Sequence, residues 1–138
     1  MANLHATLVQ VPETLPPEER VVELGMAYLG FARANPQDIA VVALHESLRA
    51  TRASGHGGLE EIVMGVFRQG IEQGVFAART DEDLALMVYG AWSLVHGMAV
   101  LLARQPAKQA RLLRPARQRL LLEAFVEGLK GEWLTRER

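Results

Sequence analysis

Histidines are the residues of this chain best suited to metal binding or acid–base chemistry, and their spacing favours neither. His5, His45, His56 and His96 do not form the His-Glu-x-x-His motif or another pattern that would place two ligands on one helix face. The absence of cysteine excludes thiol catalysis, thiolate metal ligands and disulfides. No glycine-rich phosphate loop or nucleophile elbow is present in the sequence. We therefore predict that the protein is not an enzyme and has no catalytic residues, no metal site and no cofactor.

Aromatic, methionine and histidine side chains at helical spacing form a second group with potential for binding. At such spacing these residues most often belong to a hydrophobic core. Methionine is adaptable, however, and Tyr28, Trp92 and His96 add a few polar groups, a mixture typical of a small-molecule cavity between helices. We predict a cavity between the first long helix and the helix that carries Trp92, with an apolar ligand held by hydrogen bonds to Tyr28 or His96. The predicted ligand-binding residues are Tyr28, Phe31, Met64, Phe67, Trp92, His96 and Met98.

His96 has a simpler interpretation as well. A buried histidine usually satisfies its ring with one hydrogen bond and serves the packing alone. Binding a metal is the least favoured role, because no partner lies at metal-ligand spacing. The sequence favours the structural role and leaves ligand contact open.

Residues 84–103 run for twenty positions without a charge. A segment of about 20 apolar residues is long enough to cross a bilayer. Glycines, Ser93 and His96 dilute its hydrophobicity, and neither a second span nor an export leader accompanies it. A helix that packs on its own domain with one face and on a second copy with the other also explains the pattern. We therefore predict a cytoplasmic protein, without a membrane role, that forms a homodimer through the central and final helices. The predicted interface residues are Gly90, Val100, Leu122, Val126 and Trp133.

The whole chain is expected to be helical. Apolar residues recur at spacings of three and four, and alternation typical of strands is absent. Start and stop signals predict helices over residues 18–34, 36–51, 59–74 and 114–134, a central helix between Thr80 and Pro106, and a short helix within residues 2–11, whereas residues 54–58 form a loop. The predicted fold is an all-α, antiparallel bundle of about five to six helices. We expect one domain over residues 1–138, in which residues 1–17 form a short helix and linker and residues 18–138 form the core.

Glycines within the predicted helices need a physical reason, since each costs about 1 kcal/mol relative to alanine. Gly90 and Gly97 are seven residues apart and so lie on nearly one face of the central helix. Gly128 is placed similarly on the final helix. These positions predict close approach of another helix, although room for a ligand beside the backbone would need the same residue type.

Charge is distributed unevenly along the chain, although the net charge is only −1. Residues 1–103 carry a net charge of −6, and residues 104–138 carry +5. Lys108, Arg111, Arg114 and Arg117 are spaced by three, as in a stripe that meets phosphates. No aromatic residue between 104 and 119 is available to stack on bases, so a solvated surface is the favoured interpretation.

Two segments resemble a known family of regulators. Residues 16–42, PPEERVVELGMAYLGFARANPQDIAVV, and residues 74–102, GVFAARTDEDLALMVYGAWSLVHGMAVLL, are similar to helices of the effector-binding domain of tetracycline-repressor-type (TetR) transcriptional regulators. The WSLVHG core at residues 92–97 resembles the pattern of one C-terminal subfamily. The resemblance implies a dimerising domain with a cavity whose small occupant controls DNA affinity.

Regulators of this type carry a helix-turn-helix unit ahead of the matched region, and the residues before position 16 are too few to supply it. We therefore expect DNA contact only through a helix-turn-helix domain not present in this chain. The alternative is a stand-alone helical interaction protein that has lost DNA binding. A small helical enzyme or carrier is the least favoured, since no reactive group can be named.

Overall fold

The computed structural model describes residues 4–37, 58–104 and 106–131. Within these ranges the chain is helical and contains no strand, as the sequence predicts. The six helices are α1 (Leu4–Leu8), α2 (Pro17–Ala34), α3 (Leu59–Glu72), α4 (Asp81–Arg104), α5 (Pro106–Leu112) and α6 (Pro115–Leu129). The helix predicted over residues 36–51 and most of the predicted loop at 54–58 lie outside the described residues.

Local sequence signals determine where the long helices begin and end. Pro17 opens α2, where its missing N–H costs no helical hydrogen bond, and the Asn35 side chain ends the helix by donating to the Phe31 carbonyl over 3.0 Å. Thr80 precedes α4, and its Oγ1 accepts the Asp83 N–H at 3.1 Å, which agrees with the predicted start of the central helix after Thr80. The Asp83 carboxylate in turn accepts the Arg79 N–H at 3.0 Å.

Helix α2 contacts the largest number of other helices and lies at the centre of the bundle. It packs against α1, α3, α4 and α6, and α3 also packs against α4. Val66, Phe67 and Met87 are fully buried in the core that these helices enclose. The sequence predicted that α4 packs on its own domain with only one of its faces. Leu86, Tyr89 and Leu101 of α4 are exposed, so a substantial face of α4 lies at the surface of the single chain.

Two glycines allow close approach within the bundle. A Cβ at Gly25 of α2 would lie 2.8 Å from Leu122 Cδ1 of α6, and one at Gly90 of α4 would lie 3.2 Å from Phe125 Cζ. The close packing predicted at Gly90 is therefore present. At Gly97 and Gly128 no atom of the described residues outside the adjoining helix backbone and the chain neighbours lies within 4 Å of the Cβ position, so the same prediction does not hold inside one chain there.

By length and composition, α4 is the one described helix that could cross a membrane. It nevertheless contributes Leu84, Met87, Val95 and Met98 to the core of the bundle. A core helix that packs on α2 and α3 passes the same test, and this packing favours that interpretation.

Candidate ligand-binding cavity

A cavity of about 420 Å³ lies among helices α1, α2, α3, α4 and α6. Each helix contributes residues at helical spacing, so one side of α2 and one side of α4 face the same space. Apolar side chains form most of the wall. The lining residues are Leu8, Val21, Leu24, Gly25, Tyr28, Leu59, Glu60, Val63, Val66, Ala85, Val88, Tyr89, Ala91, Trp92, Val95, Leu122 and Phe125.

Tyr28, Trp92 and His96 form a polar aromatic cluster at the boundary of this cavity. The Tyr28 and Trp92 rings meet edge to face with centroids 5.4 Å apart, and the Trp92 and His96 rings are parallel with centroids 6.1 Å apart. The Tyr28 hydroxyl lies 3.1 Å from His96 Nδ1 and donates to it when the histidine carries its proton on Nε2. Burial raises the pKa of the Tyr28 phenol above its ordinary value, so this phenol is protonated at neutral pH.

The structure brings some of the predicted ligand-binding residues together and separates others. Tyr28 and Trp92 line the cavity, and His96 lies behind the wall, where it bonds to Tyr28. The other four do not line the cavity. Phe67 is fully buried and packs against Phe76 with ring centroids 5.4 Å apart, as in an ordinary core. The four residues placed elsewhere are Phe31, Met64, Phe67 and Met98.

Most of the lining was missed because it consists of aliphatic residues, which no functional motif marks. A periodic signal was nevertheless present. Val21, Leu24, Gly25 and Tyr28 repeat at three and four residues along α2, and the lining residues of α4 from Ala85 to Val95 do the same. Extending the helical spacing of three and four residues from Tyr28 along α2, and from Trp92 along α4, would have found these residues.

Glu60 is the one aspartate, glutamate, lysine or arginine among the cavity-lining residues of the described chain. It belongs to the first turn of α3, and its side chain is exposed, which places it at the mouth. No lysine, arginine or histidine lies among the lining residues of the described chain. The cavity therefore combines an apolar wall with one carboxylate.

The exposed sides of α4 and α6 form a second feature, which we call the α4–α6 face. Its large apolar members are Leu86, Tyr89, Leu120 and Leu121, and Tyr89 and Leu120 are 70% and 62% exposed. A shallow groove crosses it beside Gly90, Ala124 and Gly128. Tyr89 and Phe125 line both the groove and the cavity, so the two features share a wall.

The residues predicted to contact a second copy are distributed differently. Leu122 and Val126 are 4% and 3% exposed, so they face the interior of their own chain. Gly90 lies in the groove of the α4–α6 face, and Val100 is half-buried. Trp133 lies outside the described residues. The dimer itself stays a prediction, but its contacts must come from exposed neighbours of Leu122 and Val126.

The basic residues predicted as a stripe do not share one helix. Lys108 and Arg111 lie on α5, Arg114 lies in the break before α6, and Arg117 lies on α6. All four are exposed. Arg119, the next basic residue, is paired with Glu23 of α2, with 3.3 Å between Nη2 and Oε1. These basic residues therefore form a solvated surface, which the Arg119–Glu23 ion pair joins to α2.

Taken together, the described helices and the cavity among them define an all-helical domain built around an apolar internal space. The chain belongs to the tetracyclin repressor-like C-terminal domain family, whose model matches residues 21–127. This match confirms the resemblance that residues 16–42 and 74–102 indicate, whereas the subfamily pattern at residues 92–97 stays a prediction. No curated protein and no solved structure matches the chain.

Membership in this family carries several general properties. The family is one of regulators and not of enzymes. Its members generally dimerise and bind small ligands. Regulators of the family are soluble, which agrees with α4 as a core helix of the bundle.

Proposed function

We propose that this chain is the effector-binding and dimerisation domain of a TetR-type transcriptional repressor and that it senses a small, predominantly apolar ligand in the cytoplasm. The observation that supports this most strongly is the cavity of about 420 Å³. Ligand cavities typically measure about 300 to 1,000 Å³ and combine an apolar wall with a few polar groups. Tyr28 supplies such a group beside Trp92.

The position of the cavity suits a sensor. Helices α2, α3, α4 and α6 all contribute to its wall, so an occupant would contact each of the long described helices. A ligand that binds one arrangement of these helices better than another shifts the population toward that arrangement. In a repressor, that shift would be passed to a helix-turn-helix domain outside this chain, which alone would contact the operator.

The proposed homodimer forms through the α4–α6 face. Large exposed apolar patches on soluble proteins mark interaction surfaces. Small residues in the groove, Gly90, Ala124 and Gly128, let a partner helix approach closely. A two-fold arrangement would place the same face of each copy against the other.

Thermal unfolding in the presence of small neutral hydrophobic compounds tests ligand binding. A compound that binds the folded state alone should raise the melting temperature once its concentration exceeds its dissociation constant. Trp92→Ala removes part of the cavity wall and should weaken this effect. Leu101→Ala removes an exposed side chain from the same helix outside the cavity and is the matched control. Compounds that stabilise Trp92→Ala as strongly as the wild type would place the binding site elsewhere.

A further inference from the structure

The charge and aromatic content of the cavity wall restrict the chemistry of the ligand. This argument rests on the proposed function, because it assumes that the cavity is a binding site. The described wall contains one carboxylate, that of Glu60, and no cationic side chain. An anionic ligand would find no opposite charge among the described lining residues, and a charge moved out of water without a partner is costly.

Four aromatic rings of the wall add to the same preference. Tyr28, Tyr89, Trp92 and Phe125 all line the cavity. The face of an aromatic ring carries a negative electrostatic potential and attracts cations, most strongly for tryptophan. A cationic group therefore meets favourable potential at the carboxylate and at any ring whose face it contacts, whereas a carboxylate group would be repelled by Glu60.

Glu60 lines the cavity, whereas the next residue, Glu61, does not. Glu60 and Glu61 both lie in the first turn of α3, where the helix dipole favours acidic side chains. The dipole thus accounts for both residues equally. Only Glu60 lines the cavity, and both side chains are exposed. Its neighbour therefore provides a control with the same charge, the same helix turn and similar exposure.

We propose that the ligand of this cavity is a hydrophobic amine. Its cationic nitrogen lies at the mouth beside Glu60, and its aromatic or aliphatic body occupies the apolar interior beside Tyr28 and Trp92. An exposed ion pair contributes modestly, so the body supplies most of the affinity and Glu60 supplies selectivity for charge.

Three probes with one carbon skeleton test this proposal: phenylbutylamine, phenylbutanol and phenylbutyrate, which are cationic, neutral and anionic at neutral pH. Isothermal titration of the whole chain at low salt should show the amine binding about threefold or more tighter than the alcohol, with the carboxylate weakest. The advantage of the amine should shrink as salt is added, because salt screens exposed charges. Glu60→Gln should reduce the ratio of the amine and alcohol affinities, and Glu61→Gln should leave the order and the ratio unchanged.

The outcomes separate this proposal from the proposed function. If the alcohol or the carboxylate binds the wild type as tightly as the amine, the cavity is a binding site but the hydrophobic-amine proposal is wrong. The same follows if Glu60→Gln keeps the full preference for the amine, or if Glu61→Gln reduces it equally. If none of the three probes binds saturably, the proposed ligand-binding function fails and this proposal fails with it.

Discussion

At the scale of single residues, Tyr28 contributes both to the cavity wall and to a hydrogen bond with His96. Its ring lines the cavity, and its hydroxyl reaches His96, 68 residues further along the chain. A sequence shows both residues as polar groups on apolar helix faces but not that they bond to each other, because that contact depends on how α2 and α4 pack. The structural role favoured for His96 agrees with this hydrogen bond.

Tyr28→Phe is expected to lower the free energy of unfolding by about 1 kcal/mol at neutral pH, because it removes one buried hydrogen bond. Burial raises the pKa of Tyr28 in the folded state above the unfolded value of about 10. The folded state therefore favours the protonated phenol, and this contribution is complete below about pH 10 and is lost as the pH rises further. Tyr28→Phe should make the alkaline loss of stability less steep.

Urea unfolding at neutral pH and across the alkaline range measures both effects. Tyr89→Phe is the matched control, since Tyr89 lies on the same cavity but is 70% exposed. We expect this variant to unfold like the wild type at neutral pH. An unchanged alkaline limb in Tyr28→Phe would show that the buried phenol does not contribute to the pH dependence.

At the scale of elements, helix boundaries were predictable and helix packing was not. Thr80 and Asn35 bond to backbone groups only three and four residues away, so these two helix ends depend on local sequence alone. The side of a helix that becomes buried depends on its partners. Helix α4 was expected to pack on its own domain with one face, and it does so and keeps an exposed face, but α2 packs against a larger number of the described helices. Apolar composition alone could not show which of the two helices, α2 or α4, packs against more of the others.

Two glycines of α2 should respond differently to the same substitution. A Cβ at Gly25 would lie 2.8 Å from Leu122 Cδ1, whereas no atom of the described residues lies within 4 Å of one at Gly30. Gly30→Ala should raise the free energy of unfolding by about 0.5–1 kcal/mol through helix propensity. Gly25→Ala should give a smaller gain or a net loss, because the Leu122 side chain must move away from the added methyl group. Urea titration of both variants decides the matter, and equal stabilisation at both positions would contradict the packing of α2 on α6.

At the scale of the whole molecule, the described chain has two apolar surfaces that its own side chains do not cover: the α4–α6 face and the cavity wall. The sequence predicted a dimer interface that included Leu122 and Val126, but both side chains are buried in their own chain and are not free to contact a second copy. The helical period alone cannot tell a core face from an interface face when both are apolar. Leu120 and Leu121 are exposed in the single chain, so their side of α6 is not part of the core.

Leu120→Glu should dissociate the proposed homodimer. Leu120 is 62% exposed in the single chain, so glutamate is tolerated in the monomer but leaves an unpaired charge in a buried interface. Val9→Glu introduces the same charge at a residue that is 54% exposed, directly follows α1 and belongs to neither α4 nor α6, and it should leave the dimer intact. Light scattering at micromolar concentration reports the mass. A monomeric wild type would reject the dimer, and a dimeric Leu120→Glu would move its interface to another surface.

Binding of a neutral apolar fluorophore, N-phenylnaphthylamine, tests the central claim most directly, because its emission rises on transfer from water to an apolar site. Ala91→Phe fills the cavity from α4, and Ala103→Phe makes the same change at an exposed position of the same helix outside it. We expect saturable binding to the wild type and to Ala103→Phe, and loss of this binding in Ala91→Phe. Equal saturable binding by all three proteins, or none by the wild type, would contradict a ligand site in this cavity.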